Sequence, residues 1–167
     1  MKKSVLIIVL FLILTLVDLS YVLISNPNLI GNISLDLLSE DETVTEEKIV
    51  TKIIDGDTVI IEGGESVRLL GIDCDEKGKK CYNIAKKRIE ELLLGKKVIL
   101  ERDIENKDQY GRYLRYIILD NENIDAKMVK EGYCVARFQG DSKYKTEIQN
   151  AESYAISNKI GCKWESN

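Results

Sequence analysis

The sequence predicts a small β-barrel with helices, an α+β domain that follows an apolar N-terminal segment. Three observations point there. β-Branched residues crowd into short runs divided by glycine and aspartate turn signals. The hydrophobic period then switches from two to helical spacing in the later part of the chain. Residues 4–24 are almost uniformly apolar, and the composition changes abruptly after them. A length of 167 residues fits one domain of about 100–150 residues plus an appendage.

The appendage comes first. Lys2 and Lys3 precede the run from Ser4 to Leu14, and apolar character continues to Ile24. A membrane-spanning helix needs roughly 17–25 mostly apolar residues, a length reached when Asp18 and Ser20 are included. Asp18 lies towards the outer end, where a charge costs less than at the bilayer centre. Residues 1–24 are therefore expected to be a transmembrane signal anchor. A cleavable signal peptide has the same basic start and apolar middle, but Tyr21-Val22-Leu23-Ile24-Ser25 offers no small-x-small cleavage site. Either way the domain is expected outside the cytoplasm, with the basic end inside: membrane-anchored in the first case, secreted in the second. Residues 25–47 read as a linker, opened by Asn26-Pro27-Asn28 with the chain's only proline and containing acidic clusters at 40–42 and 46–47. Asn32-Ile33-Ser34 matches a glycosylation acceptor.

The domain spans 48–167. Runs at 49–54 and 58–61 read as two strands split by Asp55-Gly56-Asp57. Gly63-Gly64 marks a hairpin to a third strand over 67–72. From Lys79 to Leu94 apolar residues recur at helical spacing, and Gly95 ends the helix. Two further strands are expected at 97–101 and 112–119. Asn123 caps a short helix that closes at Gly132, and a last helix runs over 144–158. Five strands with about three helices, one after the third strand and one at the end, suit an OB-type five-stranded Greek-key barrel, which offers one face and its loops to a ligand.

The chain has no histidine. That excludes His-based nucleophile triads and His-ligated zinc, and leaves carboxylate chemistry as the main option. Asp57 and Asp73 offer oxygen ligands suited to a hard cation, Glu76 offers a base, and Arg68 and Arg112 offer planar guanidinium groups suited to phosphate. Phosphodiester hydrolysis needs such a set. Each residue also has a plainer reading. Asp57 and Asp73 can terminate strands through local hydrogen bonds, Glu76 can be a solvated loop residue, and either arginine can sit in a rim ion pair.

Taken in order, Asp55-Gly56-Asp57-Thr58, Arg68-Leu69-Leu70-Gly71-Ile72-Asp73, Glu76 and Asp108-Gln109-Tyr110-Gly111-Arg112 resemble the staphylococcal nuclease (thermonuclease-like) family, from about Lys48 to Trp164. The resemblance implies an OB-type barrel and a calcium-dependent nuclease acting on DNA, RNA or both. It implies calcium held by Asp57, Asp73 and the backbone carbonyl of Cys74. It makes Glu76 the general base and Arg68 and Arg112 the phosphate-binding, transition-state-stabilising arginines. Tyr110 matches a position near the bound nucleotide. Phe138 stands where the family often has a stacking tyrosine, with core packing its alternative role. Lys79, in the basic stretch 77–80, is a candidate contact to the nucleic-acid backbone. A monomer is expected. The family usually reads Asp-Thr-Pro-Glu where this chain has Asp73-Cys74-Asp75-Glu76, so a fixed φ is lost from the loop that carries Glu76 and a charge is gained beside the expected metal.

Net charge is −4. Lys2 and Lys3 against Asp18, Asp36, Glu40, Asp41 and Glu42 give −3, which leaves −1 for the rest. Overall charge thus supplies no electrostatic footprint of nucleic-acid binding. Two rivals to an enzyme follow: a binding module that kept the fold and lost catalysis, and an extracytoplasmic scaffold stapled by its cysteines. The four cysteines, at 74, 81, 134 and 162, lack CxxC spacing. Cys134 reads as a small buried hydrophobe in a strand, and a Cys74–Cys81 bridge beside the site is conceivable from proximity in sequence.

Overall fold

The computed structural model describes residues 45–165; the expected anchor, the glycosylation match and nearly all of the expected linker lie outside the described residues. Among the described residues no helix is long and apolar enough to cross a membrane. The strands are β1 (Thr45–Ile53), β2 (Thr58–Ile61), β3 (Ser66–Leu69), β4 (Ile72–Cys74), β5 (Lys97–Lys107), β6 (Tyr113–Leu119), β7 (Glu122–Asn123) and β8 (Cys134–Ala136). The helices are α1 (Tyr82–Leu93), α2 (Ile124–Lys130), α3 (Lys145–Ser157) and the short α4 (Gly161–Trp164).

Five strands close into a barrel in the order β3-β2-β1-β5-β6. The neighbours are antiparallel, and a parallel β3–β6 pairing, Val67 opposite Tyr113, completes the ring. β4 and β8 form a separate two-stranded sheet. This is an OB-like α+β fold, and closure leaves no long free sheet edge in the ring. Val50, Val59, Val67, Leu69, Leu100 and Ile117 are buried in the core. α1 adds Ala85, Ile89 and Leu93, one face at a four-residue repeat. Full burial of a side chain such as Ile89 or Leu93 contributes about 1.5–3 kcal/mol.

Several boundaries differ from the expected ones for physical reasons. β1 begins at Thr45, ahead of Lys48, because the exposed stretch Thr45–Ile49 pairs with β5 through its backbone and needs no apolar alternation. The single strand expected over 67–72 is two. Gly71 adopts φ +71°, and a Cβ there would stand 2.6 Å from the Phe138 ring, so the chain turns and leaves the barrel as β4. β5 runs on to Lys107, well past 101. Its polar end is braced by Arg115, whose guanidinium donates to the Asn106 carbonyl at 3.2 Å and to the Asn106 side chain at 2.8 Å. Among the described residues there are four helices rather than about three, since α4 is a single turn with little periodicity. The Asn123 cap is as expected: its side chain accepts from the Ala126 amide at 3.1 Å.

The cysteine readings are corrected. Cys74 pairs with Cys134 and Cys81 with Cys162. Cys134 is fully buried, as a small hydrophobe would be, but it is bridged across the β4–β8 pair. Cys74 and Cys81 do not pair with each other. Proximity in sequence misled here because α1 starts at Tyr82 and carries Cys81 towards α4, away from β4.

Asp125, in α2, is a fully buried carboxyl whose Oδ2 accepts from the Ile117 amide at 2.9 Å. Burial pushes its pKa up to about 8, against the opposing pull of the Ile117 and Leu70 amides and the Arg68 charge. The folded state therefore binds this proton more tightly than the unfolded chain. The stability it contributes is complete below the ordinary aspartate value and is lost as pH rises through about 8. Relative to Asp125→Asn, the wild type is expected to lose stability progressively as pH rises across that window, with no further divergence above it. Urea denaturation of both proteins between pH 5 and pH 9 measures this; parallel stability curves would refute it.

Candidate active site

The site forms where the β1–β2 turn meets the end of β4. Gly56 makes the meeting possible: a Cβ there would lie 2.8 Å from Cys74 Cβ and 3.0 Å from Ala85 Cβ. With no side chain at 56, the turn seats against β4 and α1 and brings Asp57 to the Cys74 amide, which donates to Asp57 Oδ2 at 2.8 Å. The Asp55 carboxylate accepts from the Asp57 amide at 3.1 Å and holds the turn itself. Asp57 is 7% exposed, a buried charge.

Arg68, on β3 next to β2, reaches both aspartates. Its Nη1 lies 3.1 Å from Asp57 Oδ2 and its Nη2 lies 3.4 Å from Asp73 Oδ1. Two carboxylates thus converge on one cation. One guanidinium does not fully compensate the buried one: desolvation raises the Asp57 pKa to about 6, although Arg68 and the Cys74 amide pull it down. The two aspartates differ in setting, with the Asp73 side chain 48% exposed and that of Asp57 10%.

Arg112 enters from the β5–β6 hairpin. Asp108 builds its turn by accepting from the amides of Tyr110 at 2.9 Å and Arg112 at 3.0 Å, and then takes the Arg112 Nε at 2.7 Å. Burial alone would raise the Asp108 carboxyl, but these three donors hold it below the usual carboxylate range. The free end of Arg112 donates to Thr58 Oγ1 at 3.3 Å, and Thr58 Oγ1 lies 3.3 Å from Asp57 Oδ1. A continuous chain therefore runs from Asp73 through Arg68, Asp57 and Thr58 to Arg112 and Asp108. Sequence reasoning gave neither Thr58 nor Asp108 a role. The Asp-x-x-Gly spacing of an Asx turn was the available signal for Asp108; nothing local marked Thr58.

The remaining expected residues lie outside that chain of contacts. Glu76 is exposed, and its side chain has no hydrogen-bond partner among the described residues. Lys79 is exposed, and its amide closes a turn on the Glu76 carbonyl at 3.0 Å. Tyr110 is 76% exposed with the Arg112 guanidinium 5.5 Å from its ring, an open face at the hairpin tip. Phe138 is half-buried over Gly71 and packs against the core. Asp75 does not join the aspartates: its Oδ2 accepts from the Cys81 amide at 2.8 Å and its Oδ1 meets Lys163 Nζ at 2.5 Å. The charge gained at this position is thus paired with a lysine of α4.

The donor set fits a hard cation. Asp57 and Asp73 both present hard carboxylate oxygens to the Arg68 guanidinium, and burial raises the Asp57 pKa. Among the described residues no cluster of three or more His, Cys, Asp or Glu side chains is arranged to hold a metal. Two carboxylates leave the rest of a shell to backbone oxygen and water, as hard oxygen-seeking cations accept.

Comparison with known proteins agrees with this construction. Residues 66–166 match the model of the staphylococcal nuclease homologue family. The thermonuclease of Staphylococcus intermedius is 37% identical over 134 residues, covering 72% of this chain and 77% of its own. The thermonuclease of Staphylococcus hyicus is 33% identical over 64% of this chain and 69% of its own. An uncharacterised endonuclease of Haemophilus influenzae is 35% identical over 64% of this chain and 62% of its own. A closed five-stranded barrel, two arginines and two aspartates joined in one contact network, and these matches agree: the chain belongs to the staphylococcal nuclease family.

Proposed function

We propose that this protein is a calcium-dependent nuclease that hydrolyses phosphodiester bonds in DNA, RNA or both. The observation that carries the reading is the linkage of both arginines to one buried carboxylate: Arg68 meets Asp57 Oδ2 directly, and Arg112 reaches Asp57 Oδ1 through Thr58. Two guanidinium groups joined to one contact network can bind a phosphate together, and each is already oriented by a carboxylate. Asp57, Asp73 and the Cys74 carbonyl would hold the calcium, which when bound polarises the phosphate and adds positive charge. Arg68 and Arg112 bind the equatorial oxygens and strengthen their contacts as charge develops. Glu76, exposed and without a side-chain hydrogen bond among the described residues, is free to take a proton from the attacking water. Tyr110 supplies an aromatic face beside Arg112 on which a base can stack, with Phe138 and Lys79 as secondary contacts to the strand.

Metal-dependent nicking of supercoiled plasmid by the purified full-length chain tests this. Cleavage with calcium and none with a chelator is expected. Nucleic-acid binding without cleavage would favour a binding module, and neither would leave the scaffold reading. Location outside the cytoplasm is part of the proposal. Two disulfides among four cysteines suit an oxidising compartment, and the apolar 4–24 run supplies the anchor. Recovery of the full chain in the membrane fraction is expected, whereas a mature N-terminus near residue 25 would indicate secretion.

A further inference from the structure

Among the described residues the Glu76 side chain makes no hydrogen bond or ion pair, so its position comes from the backbone on either side. That backbone is fastened unusually well for an exposed loop. At its start, Cys74 is bridged to Cys134 and its amide is held by Asp57. The next residue, Asp75, is tied twice, to the Cys81 amide at 2.8 Å and to Lys163 at 2.5 Å. Glu76 then opens a turn closed by the Lys79 amide at 3.0 Å, with Gly78 at φ +92°. At the far end, Cys81 is 1% exposed and bridged to Cys162.

Both far anchors sit on α4, which is itself seated firmly. Gly161 and Gly132 allow its start to press on the end of α2, where a Cβ at either would lie 1.9–2.2 Å from a backbone oxygen. The Lys163 amide donates to the Gly132 carbonyl at 3.0 Å. Asp75–Lys163 and Cys81–Cys162 thus join the loop to one short helix at adjacent residues. An Asp at position 75 cannot fix φ as a proline would. Here it anchors the loop by charge instead.

We propose that Asp75, Lys163 and the Cys81–Cys162 bridge form a clamp that positions Glu76 for proton transfer, with α4 as its fixed jaw. This rests on the reading of Glu76 as the base. None of the clamp residues touches substrate; they are positioning residues. Their loss should lower kcat while leaving KM nearly unchanged, because a base misplaced by about 1 Å costs on the order of 10²-fold in rate.

Lys163→Met and the double variant Cys81→Ser/Cys162→Ser test this by steady-state cleavage and by amide hydrogen exchange of the full-length chain. The expected result is a lower kcat at similar KM, with faster exchange confined to residues 75–81 and barrel strands protected as in the wild type. Lys163→Arg, which keeps the ion pair, should restore most of the rate. If the double variant fails to fold, Lys163→Met alone decides. Wild-type kcat and wild-type loop exchange in Lys163→Met and the double variant would overturn the clamp, as would exchange that accelerates evenly through the barrel. If the wild type itself cleaves nothing with calcium present, the nuclease reading falls, and the exchange data still decide whether the loop is clamped.

Discussion

Asp57→Asn should abolish calcium-dependent cleavage, and Asp73→Asn should do nearly the same at lower cost to the fold. A metal ion supplies several kcal/mol of charge stabilisation in such reactions, so losing a ligand is expected to cost about 10³-fold or more in rate. The two aspartates separate in their effect on stability. The Asp73 side chain is half exposed and has only the long contact to Arg68, so its amide variant should melt close to the wild type. Asp57 is buried, holds the Cys74 amide and faces Arg68 at 3.1 Å. Asp57→Asn keeps an oxygen for the Cys74 amide, whereas Asp57→Ala leaves that amide and a mostly buried guanidinium without their partner, at about 1–3 kcal/mol. From sequence, both aspartates are expected at strand ends outside the core. That holds for the exposure of Asp73 and not for Asp57, which Gly56 draws in against Cys74 and Ala85. Calcium titration by calorimetry alongside thermal melts measures both effects. Unchanged calcium affinity in both asparagine variants would sink the ligand assignment.

How much of this was legible in the sequence depends on which physical signal each feature leaves. Strands with β-branched runs and turn glycines, such as β2 and the β2–β3 hairpin, announce themselves locally. So does α1, with its four-residue apolar repeat. Features held by tertiary contact left no local trace. The polar halves of β1 and β5 are strands because each pairs with a neighbour, and Arg115 braces the second of them. The break at Gly71 shows only once Phe138 lies across it. Motif order pointed to the site residues, and the structure brings Asp57, Arg68, Asp73 and Arg112 into one network while leaving Glu76 alone. The disulfides were the least readable part. Their partners are 60 and 81 residues apart, and pairing follows from where β8 and α4 pack rather than from spacing.

Glu76→Gln should lower turnover by about 10²–10⁴-fold, the usual contribution of a positioned general base, while nucleotide binding changes little. Glutamine keeps the shape of the side chain but cannot accept a proton from water. Because Glu76 is exposed and makes no side-chain hydrogen bond among the described residues, the substitution breaks no contact there and the melting temperature should not move. Arg112→Ala should give a different pattern. It removes a phosphate contact felt in the ground state and more strongly in the transition state, so binding weakens along with rate. It also strips Asp108 of its 2.7 Å partner and loosens the hairpin tip that carries Tyr110. Single-turnover cleavage together with equilibrium binding of a short oligonucleotide in calcium separates the two cases. Near wild-type turnover in Glu76→Gln at saturating calcium would remove Glu76 as the base. Asp75, the neighbouring carboxylate, is poorly placed to replace it. Burial raises that carboxyl, but Lys163 and the Cys81 amide outweigh burial and hold it below the ordinary aspartate value. A carboxylate so strongly committed to two donors is a weak proton acceptor, so a surviving activity would point to water activated without any side chain of this loop.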